Sequence, residues 1–260
     1  MSGRDPDDIY DESTDEGERR LSRGTTALAA TGVVGGVDVM LGILALTVVS
    51  GALHVAVPAE IAHVGGSLVF GIGLVLIVVG RSELFTENFL VPVAAVLRRR
   101  RGPASLARLW AVTFVANVAG LLLLAAIFTR AGLVPPESLD AAGTIADTFA
   151  DRDMVAASLS AVVAGTVMTL FTWLTHAVQT DIARILIAML IGFLLAAPSL
   201  NHAVVSVGEM AFGIFAGTAD SADMGDLAQN LPLAVLGNLA GGLLLVTLTR
   251  VLQVRGEPAG

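Results

Sequence analysis

The chain has 260 residues, 55% of them hydrophobic, with a formal net charge of −8 and a mean hydropathy of +0.79. That apolar content, gathered into stretches of about 20 residues, exceeds what a soluble core of this length needs, so a soluble fold is excluded. There is no cysteine, which removes disulfides, thiolate metal sites and cysteine nucleophiles.

Residues 1–24 are polar and acidic with little apolar periodicity, and they read as a disordered cytoplasmic tail. The first apolar span, about 26–51, holds Gly32, Gly35, Gly36 and Gly42, small residues that let neighbouring helices approach. It also holds one lone acid, Asp38. The second span, 65–96, is too long for one crossing: a straight helix of that length would run about 48 Å, against a hydrocarbon core of about 30 Å. Its middle, Gly80-Arg-Ser-Glu-Leu-Phe-Thr-Glu-Asn-Phe89, sets Arg81, Glu83 and Glu87 at bilayer depth. Each such charge costs about 2.5–3.5 kcal/mol on insertion scales, so the helix is expected to break there around a cavity or a partner.

Arg98, Arg99, Arg100 and Arg101 follow at once. The third span, 106–128, carries Asn117-Val-Ala-Gly120 at its centre, and a polar loop then runs to Asp153. The fourth span, 154–178, is threaded with Ser, Thr and Gly. The fifth, 182–217, is again too long and is interrupted by Pro198-Ser-Leu-Asn-His202, which predicts a second broken helix. The sixth, 231–251, carries Asn238-Leu-Ala-Gly241, and 253–260 form a short cytoplasmic tail. Twelve arginines fall in the N-terminal tail, 98–108, 179–184 and the C-terminal segment, against two, Arg130 and Arg152, in the other loops. That asymmetry predicts a multi-pass protein of the cell (plasma or inner) membrane with both termini cytoplasmic.

Three features recur in order: a Gly/Ser-rich span, a long span broken by polar residues, and a span with Asn-x-Ala-Gly at its centre. Three spans per half is an odd number, so the halves must lie upside down relative to each other. The predicted fold is therefore an all-α membrane protein of six helices in two inverted three-helix repeats, with the second and fifth broken. Paired broken helices point to a transport site, because unwound backbone at membrane depth survives only inside protein or along a cavity.

These residues resemble the formate/nitrite transporter family: Ser82-Glu-Leu-Phe-Thr86, Asn201-His202 in the second break, the two Asn-x-x-Gly motifs and the six-span order, across roughly 26–252. The resemblance implies an aquaporin-like bundle, usually a homopentamer in the bilayer with one pore per subunit, for small monovalent anions. It places Leu84, Phe85 and Thr86 in the flexible loop on the cytoplasmic side of the pore, Phe70 and Leu74 at apolar constrictions, and His202 at the centre. This chain departs from the family at Arg81, where a glycine precedes the motif, and at Glu87, where a small residue follows the threonine. The family's vestibule lysine has no counterpart, as the chain has no lysine.

Read as chemistry, a weak-acid anion would be hydrogen-bonded at His202, with proton supply open to a group whose unperturbed pKa is about 6.5. Thr86 can bond the substrate or His202, or cap a half-helix. Arg81 is expected to pair with Glu83 or Glu87, or else to attract anions. Glu209 lies on the His202 face, as a proton relay or as a buried partner of Arg81. Asn117 and Asn238 are expected to bond the loops, Asn201 to cap the break or line the pathway. His54, His63 and His176 sit near span ends, so no metal is expected, nor a cofactor or nucleic acid. The alternatives are a neutral-solute pore like those for water or glycerol, and a membrane enzyme or non-transporting scaffold.

Overall fold

The computed structural model describes residues 4–256. Helix α1 spans Pro6–Ser22, α2 Thr25–His54 and α3 Ala59–Gly80. A break follows, closed by a tight turn at Phe85–Phe89 and the half-helix α4, Val91–Leu97. Then come α5 (Pro103–Phe128), α6 (Pro136–Ala150), α7 (Met154–Ala177) and α8 (Asp181–Ala196). After a second break, α9 is Val205–Ala216. The last span begins as α10, Met224–Ala240, and continues through a wider-wound segment, Gly241–Thr247, into α11, Leu248–Gly256.

Among the described residues five helices are long and apolar enough to cross a membrane, and α8 with α9 makes the sixth crossing on either side of its break. The broken spans cross where α3 and α8 meet at Gly71 and Gly192. A Cβ on Gly192 would stand 2.3 Å from the Gly71 Cα, so only glycine permits this approach. One large apolar cluster, from Ile43 and Phe70 through Phe128 to Phe212, fills the bundle between the two breaks.

Two expectations are corrected. Residues 6–22, read as a disordered tail, form a helix whose buried stripe of Ile9, Tyr10, Ser13, Thr14, Gly17 and Leu21 packs on α4. The acidic face is held by the basic run: Arg98 meets Asp11 at 2.6 Å and lies over the Tyr10 ring, and Arg101 donates to Ser22 Oγ at 2.6 Å. Composition alone hid this, because the partner surface lies some 80 residues away in sequence. The polar loop before Asp153 likewise contains α6, which packs on α9 and α2. Residues 1–3 and 257–260, the extreme ends of both expected tails, lie outside the described residues.

Candidate functional site: two breaks joined at the centre

The breaks are built to one plan. Each opens on a non-glycine residue with left-handed backbone, Arg81 at φ 57° and Ser199 at φ 48°. Each is pinned by one asparagine from the last span of its repeat. Asn117 accepts from the Phe85 N–H at 2.8 Å and donates to the carbonyls of Glu83 and Gly32. Asn238 accepts from the Ala203 N–H at 2.9 Å and donates to the carbonyls of Asn201 and Ala161. Both side chains are fully buried. One amide thus satisfies the donor and acceptor freed where each ladder stops, as backbone in a membrane requires.

Thr86 and His202 carry the contact between breaks, with Oγ1 and Nε2 2.7 Å apart and both residues 0% exposed. His202 Nδ1 faces the first turn of α9, accepting from the N–H groups of Val205 at 3.1 Å and Val204 at 3.4 Å. A nitrogen that accepts there holds no hydrogen, so the neutral ring carries its proton on Nε2 and donates to Thr86 Oγ1. The Thr86 hydroxyl hydrogen then finds no acceptor among the described residues. The N-terminus of the half-helix α9 faces this centre and lends it positive potential.

The expected apolar residues are all buried in the one large apolar cluster. Phe70 and Leu74, one turn apart on α3, are each 1% exposed, and Leu84 is fully enclosed. Phe85 packs edge-on against Phe89 and Phe114, with ring centroids 5.0 and 5.1 Å apart. Asn201 differs from a pathway role. Its amide exchanges bonds of 2.7 and 3.0 Å with Asn230 and donates to the Ala157 carbonyl, which makes it a brace of the second break.

The charged residues also rearrange. Arg81 is exposed and pairs with neither Glu83, Glu87 nor Glu209. The cation on Glu83 is Arg23, from the end of α1, at 2.7 Å. Arg20 reaches Asn88 Oδ1 at 3.1 Å and Glu16 at 3.2 Å. Burial would lower the Arg20 pKa, but Glu83, Glu87 and Glu16 together hold it above its ordinary value. Glu209 is 2% exposed, and Arg152 is the charge whose field it feels. Arg152 donates to the Ser199 carbonyl at 3.0 Å and to Ser160 Oγ, and lies over the Phe149 ring. Burial pulls its guanidinium below the usual value, against the raising charge of Glu209.

Arg23 and Arg152 were missed in the sequence, where they count only toward loop charge. The available signal was their register: each lies two residues before the first span of a repeat, Thr25 or Met154, and each ends on the break of its own repeat. Trp110, which donates to the Asn88 carbonyl, and Asn230 were missed too.

A cavity opens on each side. On the α1 side, about 600 Å³ is lined by Arg20, Arg23, Ser82, Glu83, Glu87 and His176 among others. On the opposite side, about 730 Å³ is lined by Ser50, His54, His63, Glu137, Asp140 and Ser199 among others. His63 Nε2 lies 3.0 Å from the Ala196 carbonyl. No cluster among the described residues could hold a metal ion.

Two vestibules, a narrow apolar centre and paired broken helices define a membrane transport protein rather than an enzyme. The formate/nitrite transporter family matches residues 7–252, and the chain belongs to that family. It is 27% identical over 253 residues to the uncharacterized transporter YrhG of Bacillus subtilis (strain 168), covering 95% of this chain and 92% of that one. To a probable formate transporter of Methanothermobacter thermautotrophicus it is 28% identical, over 79% of this chain and 80% of that one. Among solved structures, an FNT family ion channel superposes with TM-score 0.84 at 17% identity, covering 95% and 98% of the two chains. A pentameric formate channel with formate bound superposes with TM-score 0.71 at 20% identity, covering 88% and 97%. These likenesses establish the aquaporin-like six-helix fold.

Proposed function

We propose that the protein conducts small monovalent anions of weak acids, of the formate and nitrite class, through a pore in each subunit of a homo-oligomer. The observation that carries this is the Thr86–His202 hydrogen bond, whose direction leaves one hydroxyl hydrogen of Thr86 to donate to a passing oxygen. A bare anion is strongly disfavoured in a fully apolar passage, so a donor at the centre of the bundle replaces part of the lost hydration, with Phe70 and Leu74 as the apolar constriction. Arg23 lines the vestibule on the α1 side and Arg152 bonds Ser199, a residue of the opposite one, so arginine supplies the attraction in a chain without lysine. Leu84 and Phe85 close the α1 side of the constriction. The likeness to a pentameric formate channel supports a pentamer, and the arginine asymmetry supports cytoplasmic termini in the plasma or inner membrane.

The test is radiolabelled formate uptake into proteoliposomes at acidic and alkaline pH, with water and glycerol permeation in parallel. Saturable formate uptake is expected, lost in His202→Phe and retained in His176→Phe. Glycerol or water passing while formate does not would overturn the substrate class, and equal uptake by the two variants would remove His202 from the pathway.

A further inference from the structure

We propose that the wider-wound segment of the last span, Gly241–Thr247, is a latch on the central Thr86–His202 contact, with Thr247 as its positioning residue. The inference rests on the reading of that contact as the centre of an anion pathway.

The contact itself is shut. Thr86 and His202 bond each other directly and both are fully buried, as are Phe70, Leu74 and Leu84. A solute passes between them only if one of the two breaks gives way. At its far end, the turn that presents Thr86 is held by donors from three elements. Arg20 of α1 bonds Asn88 Oδ1 at 3.1 Å, Trp110 of α5 donates to the Asn88 carbonyl at 2.9 Å, and Thr247 donates from Oγ1 to the Phe89 carbonyl at 2.8 Å. The first two donors stand on regular α-helices, and the third does not.

Within Gly241–Thr247 the last span holds one residue more than an α-helix would, and the Leu248 N–H bonds the carbonyl of Leu243 instead of that of Leu244. Wide turns of this kind are rare and gather at functional positions. The matching span of the other repeat has none. Asn117 to Gly120 corresponds to Asn238 to Gly241, yet α5 is α-wound from Pro103 to Phe128, and Leu121 stands where the last span has Gly242. That glycine gives Phe89 its place, since a Cβ there would lie 2.7 Å from Phe89 Cδ2 and 2.5 Å from Thr169 Oγ1. The wide turn therefore serves the first break, and the asparagine that both repeats share does not require it.

A wide turn is one inserted residue, and it can pass along a helix while the helices on either side stay in place. Each residue that it passes advances by one helical position, about 100° and about 1.5 Å. When it passes Thr247, that residue moves to the place of Leu248, which is 48% exposed, and Val246 comes against the Phe89 carbonyl. Valine has no hydrogen to donate, so the turn loses this hold and Thr86 is free to withdraw from His202. In the observed winding Val246 packs with Ile9, Tyr10 and Trp173. That packing and the Thr247 bond make it the resting state.

Isosteric substitutions test this in the full-length protein. In proteoliposomes Thr247→Val removes the hold in the resting winding, so radiolabelled formate uptake should rise roughly fivefold, whereas Val246→Thr restores a hydroxyl in the shifted winding and uptake should fall by about as much. Deleting Leu244, which is 60% exposed, removes the inserted residue and leaves Thr247 in place with no second winding, so this variant should carry least. A purely structural role for Thr247 predicts losses throughout. Uptake that is unchanged, or that moves in one direction in both point variants, overturns the proposal. Amide hydrogen exchange at residues 85–90 reads the latch without any solute: it should quicken in Thr247→Val and slow in Val246→Thr. Equal exchange in wild type and both variants overturns the latch. Those exchange shifts with no formate movement in any variant would sink the anion reading and leave the latch standing.

Discussion

The two breaks share a scaffold and differ in what fills it. Both begin on a left-handed residue and hang from one buried asparagine, but two acids and two arginines crowd the first, whereas amides line the second beside a single arginine. Around the first stand Glu83, Glu87, Arg20 and Arg23, two of them brought in by α1. Around the second, Asn201 and Asn230 pair amide to amide, and the nearby cation, Arg152, bonds a backbone carbonyl. The inverted repeat thus conserves the backbone solution, which bilayer chemistry imposes on both halves alike. It leaves each side free to choose its own side-chain chemistry.

Removing the shared element should cost both halves alike. Asn117→Ala and Asn238→Ala each delete three hydrogen bonds and leave a buried N–H and the break carbonyl of Glu83 or Asn201 unpaired, while the helical carbonyls of Gly32 and Ala161 keep their own ladder partners, so each should lose about 3 kcal/mol. Denaturation in detergent reads this directly. A large loss in one variant and none in the other would mean that the breaks are not held equivalently.

The arginines should separate the halves. Arg23→Ala strands Glu83 with both oxygens unpaired, whereas Arg152→Ala frees a carbonyl and a serine and removes only a distant charge from Glu209, with which it forms no ion pair. Breaking a buried charge pair from one side costs about 3–5 kcal/mol, so Arg23→Ala should fall toward the upper limit less the screening at a half-exposed guanidinium. Arg152→Ala should stay near 1 kcal/mol. Comparable thermal stability of the two variants would erase the contrast drawn here. Formate uptake on the same preparations should fall in both.

The smallest effect lies outside the bundle, on the side opposite α1. Asp147 accepts from the N–H groups of Asp220, Ser221 and Ala222 and from the Ser221 hydroxyl. Burial would raise its pKa, but these bonds hold it below the usual carboxylate range. With the folded value depressed, the stabilisation is present above the unfolded pKa of about 3.9 and disappears as pH falls through the folded value. Amide exchange at 220–222 should therefore quicken at strongly acidic pH in wild type, and at neutral pH in Asp147→Ala.

How much of this was legible depended on how far each residue's partner lies along the chain. The breaks were legible because a polar run inside an over-long apolar span is a local signal, and Asn117 and Asn238 because the motif recurs at matching places. Helix α1 was not, since its face is stabilised by α4 and by Arg98, Arg100 and Arg101, and a weakly apolar helix shows little pattern without its partner. Arg81 was assigned to the acids beside it in sequence. The left-handed residue at the end of α3 instead leaves its side chain exposed, and Glu83 is served by Arg23.

By itself the sequence determined six crossings, their inversion, the two breaks and the polar residues within them. Hydrocarbon thickness and the cost of unpaired backbone act on each segment alone, so composition and spacing record them. Only the tertiary structure decided which charge meets which, the Thr86–His202 bond and its direction, the arginine standing at each break, and the orphaned oxygen of Glu83. Those follow from side chains converging across dozens to more than a hundred residues, where a distance of a few ångströms separates a bond from none.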